Sequence, residues 1–225
     1  MALFILLAVT AVQCARLGAA GLFVHLAQSE GDAWTAAARA PRLAEIRLAA
    51  KYFSDSLDYF SGNPWALEGM GALDLTRMRT STIPREALAY TRDARVRFRL
   101  ALLERPTSPF LWSKLALAKL YLNEIDDELL TALRQAEALG PWEPTVQQTT
   151  LFVGLAVWRD LDPELRQALA RTVERGGLRN SQKMLEIVKS YGRFDLVCAL
   201  DNYTSIAGPD CKKAAQAAEA SGSIR

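Results

Sequence analysis

The chain has 225 residues, of which 50% are hydrophobic and 23% are charged, a composition that excludes disorder and suits one globular domain with an appendage. Its 27 basic and 25 acidic residues give a formal charge of +2, too weak a field to bind a phosphate backbone, so we expect no nucleic-acid partner. The single histidine and three scattered cysteines offer no ligand cluster, so we expect no metal and no cofactor. Leu and Ala dominate and no stretch alternates apolar with polar residues, which predicts an all-α protein.

The first predicted element is an apolar helix at residues 1–26, in which Arg16 is the only acidic or basic side chain apart from a histidine. About 20 such residues cross the hydrocarbon core of a bilayer as a helix. No basic residue precedes the apolar block, unlike in a cleaved signal peptide. We therefore expect a retained, single-pass membrane anchor at residues 1–27, followed by a linker at 28–42.

The charges that follow the span give a weak indication of topology. They are Glu30, Asp32, Arg39, Arg42, Glu45 and Arg47. Taken alone, the three arginines would place the soluble part in the cytoplasm by the positive-inside rule. The three acids partly offset them, so the charges carry little orienting force.

The next predicted elements form a repeat. Three helices open on a proline, at Pro64, Pro109 and Pro144, spaced by 45 and then 35 residues. The helices between them share a spacing, which is Ala94, Phe98 and Ala101 before Pro106, then Leu129, Leu133 and Ala136 before Pro141, with an earlier half-unit at Ala49, Phe53 and Ser56. Small residues at such positions let paired helices approach closely, and proline ends each helix.

This spacing, together with Trp112, Leu115 and Ala116 in the following helix, resembles the tetratricopeptide (TPR) repeat family over residues 45 to 175. The resemblance weakens where Gln147 and Thr150 replace apolar residues. It implies a short right-handed solenoid of helical hairpins, because each pair buries its apolar face only against its neighbours. The expected organisation after the linker is repeats at 43–176, capping helices at 177–207 and a flexible tail at 208–225.

In TPR proteins the first helix of each pair lines a concave groove that receives a peptide or helix of a partner. The matching positions in this sequence are Trp65, Glu68, Phe110, Ser113, Lys114, Tyr121 and Gln148. Leu117 and Phe152 fall either in that groove or in the core. The resemblance therefore implies protein partners.

Three further groups have two readings each, and Trp142 has one. A basic strip of Arg92, Arg95 and Arg99, extended by Arg97, is either a contact for an anionic surface or a solvated helix face. The acids Glu124, Asp126, Asp127 and Glu128 are either catalytic carboxylates or first-turn residues stabilised by a helix dipole. Trp142, on a predicted turn, is a candidate ligand contact. Cys198 and Cys211 form either a disulfide or two free thiols.

The layout of an anchor before a short TPR array, with the stretch from Ala138 to Pro144, resembles small accessory proteins of bacterial exopolysaccharide biosynthesis (VpsP-type). This resemblance implies a non-enzymatic scaffold in the inner membrane with a periplasmic domain, which binds polysaccharide polymerase or export components. The alternatives are a general assembly or chaperone-like TPR module on the cytoplasmic face and, third, a carboxylate-based glycan hydrolase.

Overall fold

A computed structural model describes residues 1–198 and 200–220. The described residues are 81% helix and contain no strand, which confirms the all-α prediction. The helices group into two compact units, Met1–Pro106 and Thr107–Arg225. We call them unit 1 and unit 2.

Unit 1 is built from consecutive antiparallel helices. Their bounds are α1 Ala2–Ala36, α2 Leu43–Tyr59, α3 Pro64–Thr80 and α4 Pro84–Glu104. Helix α1 packs on α2, α2 on α3, and α3 on α4. Short turns between the helices force each one to run back along its predecessor.

Helix α1 continues beyond the expected anchor and through most of the expected linker at 28–42. Val24 and Ala27 are buried against Ile46 and Phe53 of α2, and Trp34 packs on the same cluster. This packing stabilises a helical conformation at residues 28–36, where the polar sequence alone favours a loop. The connection to α2 is therefore confined to residues 37–42.

Unit 2 contains shorter helices in two layers. Their bounds are α5 Pro109–Tyr121, α6 Asp127–Leu139, α7 Pro144–Ala156, α8 Pro163–Gly176, α9 Ser181–Ser190 and α10 Thr204–Ala220, with 3-10 turns at Trp158–Asp160, Phe194–Leu196 and Asp201–Tyr203. Helix α7 packs against both α5 and α9, and α6 packs against α8. The first helices of successive pairs thus form one layer and the second helices the other.

The C-terminal segment differs from its expected form. The segment expected to form capping helices at 177–207 contains α9 and then a 3-10 turn at Phe194–Leu196 in place of a further helix, and α10 occupies most of the segment where a flexible tail is expected. The fully buried Tyr203 donates its hydroxyl to the Val173 carbonyl at 2.8 Å, and a disulfide joins Cys198 to Cys211. These tertiary links hold the start of α10 on the unit. Residues 221–225, the end of that tail, lie outside the described residues.

Four second helices bury residues with the same spacing of i, i+4 and i+7. The sets are Ala49, Phe53 and Ser56; Ala94, Phe98 and Ala101; Leu129, Leu133 and Ala136; and Leu165, Leu169 and Thr172. The spacing in the sequence predicts the first three sets but not the one in α8, where Leu and Thr replace the small residues. Such spacing places three side chains on one face of a helix.

Within two of the pairs, a large side chain of the second helix packs against a glycine of the first. A Cβ added to Gly71 of α3 would lie 2.5 Å from the Phe98 ring of α4. A Cβ on Gly154 of α7 would lie 2.3 Å from Leu169 of α8. Glycine is therefore required for the close approach of these helices.

We expect Gly71→Ala to destabilise the protein by about 1 to 3 kcal/mol, because the added methyl group overlaps a ring that is fully buried. The measurement is thermal unfolding of the detergent-solubilised chain followed by circular dichroism. Gly62→Ala is the control, since its Cβ would meet nothing closer than 3.4 Å. Equal melting temperatures for the two variants would contradict the packing argument.

Candidate functional site

The first-helix layer of unit 2 contains a groove of about 220 Å³. Its lining residues come from α5, α7 and α9, and are Leu117, Tyr121, Gln148, Thr149, Phe152 and Ile187. We call it the α5–α7–α9 groove. Three consecutive first helices contribute to it, so its shape depends on how the pairs stack.

The chemistry of the α5–α7–α9 groove is apolar and uncharged. Its polar groups are the Gln148 amide and the hydroxyls of Tyr121 and Thr149, and the Thr149 hydroxyl donates to the Thr145 carbonyl within α7. The Phe152 ring packs edge-on to Tyr191 at a centroid distance of 5.8 Å. Burial, with a smaller contribution from Tyr121, raises the pKa of Tyr191 above its ordinary value. The groove therefore suits apolar side chains that carry at most one polar group.

A buried hydrogen-bond chain fixes α7 beside α9. Gln147 is 3% exposed, and its Nε2 donates to the Pro141 carbonyl at 2.7 Å. Its Oε1 accepts from Asn180 Nδ2 at 2.9 Å, at the turn before α9. The glutamine that weakens the repeat pattern in the sequence thus connects two turns through its side chain. The Gln147 amide is hydrogen-bonded at both its nitrogen and its oxygen, and a satisfied buried amide favours one arrangement of the helices.

The end of α5 nearest Tyr121 is held by an ion cluster. Lys119 is 1% exposed, and its Nζ lies 2.6 Å from Glu128, 2.8 Å from Asp126 and 3.3 Å from Glu124. Burial opposes the charged ammonium, but hydrogen bonds to Asp126 and Glu128 outweigh it and raise the pKa of Lys119. Asp126 also caps α6, because its Oδ1 accepts from the Leu129 amide at 3.0 Å. Three of the four acids singled out in the sequence therefore surround one buried lysine, which sequence analysis did not identify.

The predicted groove residues do not all lie together. Tyr121 and Gln148 line the α5–α7–α9 groove. Ser113 is 2% exposed and donates to the Phe110 carbonyl, so its assignment to a groove is wrong. Its position on α5 faces the core, because residues three apart share a helix face and the buried Ala116 follows it by three. The half-buried Phe110 and Lys114 lie outside the groove lining.

The two predicted groove residues of unit 1 make a contact of their own. Glu68 accepts from Arg105 at 2.9 Å, and the same guanidinium stacks on the Trp65 ring at 3.5 Å. Glu68 is thus part of an ion pair that joins α3 to the end of α4. Trp65 remains 51% exposed.

The remaining candidates are placed as follows. Arg92 and Arg99 are exposed and Arg95 is half-buried, whereas Arg97 turns away and pairs with the buried Asp74 of α3. The basic strip on α4 therefore excludes Arg97. Trp142 is 52% exposed, with the Arg175 guanidinium 5.9 Å from its ring centre.

We expect Lys119→Met to destabilise the protein by about 1 to 3 kcal/mol. This is less than the loss of a fully buried ion pair, because the carboxylates of Glu124, Asp126 and Glu128 reach solvent and are rehydrated when the ammonium group is removed. Thermal unfolding at neutral pH is the measurement. The matched control is Lys51→Met, which removes an exposed pair with Asp55 and should change stability by less than about 0.5 kcal/mol. A Lys119 variant as stable as this control would refute the assigned role of the cluster.

Comparison with known proteins assigns no family. The chain matches no protein-family model, no curated protein and no solved structure. The features that bear on function are therefore α1, the paired helices and the α5–α7–α9 groove.

Proposed function

We propose that the protein is a non-enzymatic, membrane-anchored scaffold whose TPR-like helix pairs bind a protein partner in an exopolysaccharide synthesis or export complex of a bacterial inner membrane. The observation that carries the proposal is the α5–α7–α9 groove, formed by successive first helices in a chain that also has a membrane-length apolar helix. The partner segment is an apolar helix or extended peptide, since the groove has no charged lining residue to recognise an ion.

Helix α1 supports the anchor. The stretch Ala2–Trp34 is long and apolar enough to cross a membrane. Its first part is uncovered, with exposed fractions of 65% at Leu3, 60% at Leu6 and 52% at Val9. A continuous apolar surface of this length needs a lipid or protein environment.

The recurring burial pattern supports a TPR-like array. The i, i+4 and i+7 positions of α2, α4, α6 and α8 are buried, and the intervals from α4 to α6 and from α6 to α8 are near the TPR period of about 34 residues, whereas the interval from α2 to α4 is longer. Glycine on the first helix meets a large side chain in two pairs. The use of Glu124, Asp126 and Glu128 to hold Lys119 supports a structural reading of the acids over a catalytic one.

The Cys198–Cys211 disulfide supports a periplasmic location for the C-terminal unit, because disulfides persist in oxidising compartments and are reduced in the cytoplasm. Cys14 is a free thiol on α1. A periplasmic and a cytoplasmic location of the C-terminal unit therefore predict different numbers of reactive thiols.

Labelling with a maleimide-polymer reagent after denaturation, without reductant, tests this topology. A periplasmic unit should show one modified thiol per chain, and three after reduction, because Cys198 and Cys211 are bonded. Cys14→Ala is the control and should show none before reduction. Three reactive thiols without reductant would favour the cytoplasmic assembly module instead.

The partner site is tested by deleting the gene, measuring exopolysaccharide yield, and restoring the gene with variants. We expect Gln148→Arg to fail in restoring yield, because it places a charge in an uncharged groove. Gln135→Arg, at an exposed glutamine of α6, should restore it at equal protein level. Full yield with Gln148→Arg would refute the groove as the partner site, and unchanged yield after deletion would refute a role in exopolysaccharide production.

A further inference from the structure

Helix α1 has two parts with different surroundings. Residues 2–18 are exposed along all their faces, whereas Ala20, Val24 and Ala27 are buried against α2. At 1.5 Å per residue the exposed part measures about 26 Å, slightly less than the roughly 30 Å of a hydrocarbon core. The packed part of α1 therefore begins where a membrane-crossing helix would leave the bilayer.

Direct contacts fix the end of α2 at this same level. The Arg16 guanidinium donates to the Tyr59 carbonyl at 3.2 Å, and the Phe23 ring stacks on Tyr59 at a centroid distance of 5.8 Å. The Ser56 hydroxyl donates to the Ala20 carbonyl at 2.9 Å, and both groups are buried. These contacts hold α2 on α1 without a flexible joint.

The turn after α2 is attached to the same contacts. Asn63 Nδ2 donates to Ser56 Oγ at 3.0 Å, and Asn63 Oδ1 accepts from the Trp65 amide at 3.1 Å. The side chain of Asn63 is buried. The turn that carries Phe60 and Trp65 is thus linked through hydrogen bonds to residue 20 of α1.

The end of α4 lies at this turn as well. A Cβ added to Gly62 would lie 3.8 Å from the Glu104 carboxylate, and Arg105 stacks on Trp65. Leu103, one residue before Glu104, is 77% exposed. One end of unit 1 therefore presents four exposed apolar or aromatic side chains, Tyr59 at 42%, Phe60 at 37%, Trp65 at 51% and Leu103 at 77%. We call this group the collar.

We propose that the collar is a lipid-binding surface: unit 1 rests directly on the bilayer, with Tyr59, Phe60, Trp65 and Leu103 inserted at the level of the lipid headgroups. The proposal rests on the anchor of the proposed function. Aromatic side chains concentrate at this depth because their rings are apolar and their edges polar, and Arg16 extends toward the same layer. The bilayer is the occupant because α1 passes through it immediately beside the collar.

The charges around the collar decide the kind of lipid contact. Asp55 and Asp58 lie with Phe23 and Tyr59 around one cleft, Glu104 adjoins the turn, and Arg105 is paired with Glu68. These carboxylates oppose attraction to anionic lipids. Insertion therefore depends on the apolar and aromatic groups. It should be as strong in neutral phosphatidylcholine as in anionic lipid, and as strong at high salt as at low salt.

The test is site-directed spin labelling of the full chain in phosphatidylcholine vesicles, with Cys14→Ala to remove the free thiol. Labels are placed through Leu103→Cys, Phe60→Cys, Ile83→Cys and Val9→Cys. Ile83 is the matched control, because it is 50% exposed and lies at the opposite turn, between α3 and α4. The measured quantity is the ratio of collision rates with oxygen, which concentrates in lipid, and with a nickel chelate, which stays in water.

The expected order of the oxygen-to-nickel ratio is highest at Val9, intermediate at Leu103 and Phe60, and lowest at Ile83. A lipid value at Val9 with water values at Leu103 and Phe60, equal to that at Ile83, would overturn the collar and leave the anchor intact. A water value at Val9 would overturn the anchor and the collar together.

Discussion

The close approach of paired helices, made possible by a small residue opposite a large one, is the constraint on which the other features depend. Within the α3–α4 pair, the Phe98 ring occupies the space that a side chain at Gly71 would need. Between successive pairs, the Phe53 ring of α2 does the same at Gly69 of α3. Leu169 uses Gly154 in the same way in α8. Because the helices of each pair are held at a fixed distance, the first helices of unit 2 stack in one layer and create a groove between them. A looser pairing would leave no defined surface for a partner.

Buried polar groups then select one arrangement of those helices. Gln147 connects two turns, and Lys119 gathers three carboxylates at the end of α5 beside Tyr121. Desolvating an ammonium group is costly, so Lys119 is stable only where its carboxylates converge. In unit 1, Asp74 has a comparable role, since it pairs with Arg77 and Arg97 from two helices. The groove of unit 2 is therefore shaped by charges and amides that do not line it.

The anchor and the scaffold share one helix. In the proposed function α1 crosses the membrane with its first half, and its second half is the first helix of a packed pair. Hydrogen bonds of Arg16, Ser56 and Asn63 tie the collar to α1.

The sequence by itself determined the helical class, the proline-led openings and most of the paired second helices, because the spacing of Ala94, Phe98 and Ala101 is a local property of one helix. It also located the apolar α1 by composition. Only the tertiary structure decided that α1 extends into the repeat region and packs on α2, that Ser113 is buried and that Lys119 is the partner of the acidic turn. It also brought Tyr121, Gln148 and Ile187 into one groove. These outcomes depend on which helix surfaces, far apart in the sequence, come into contact. The spacing of residues within one helix does not determine those contacts.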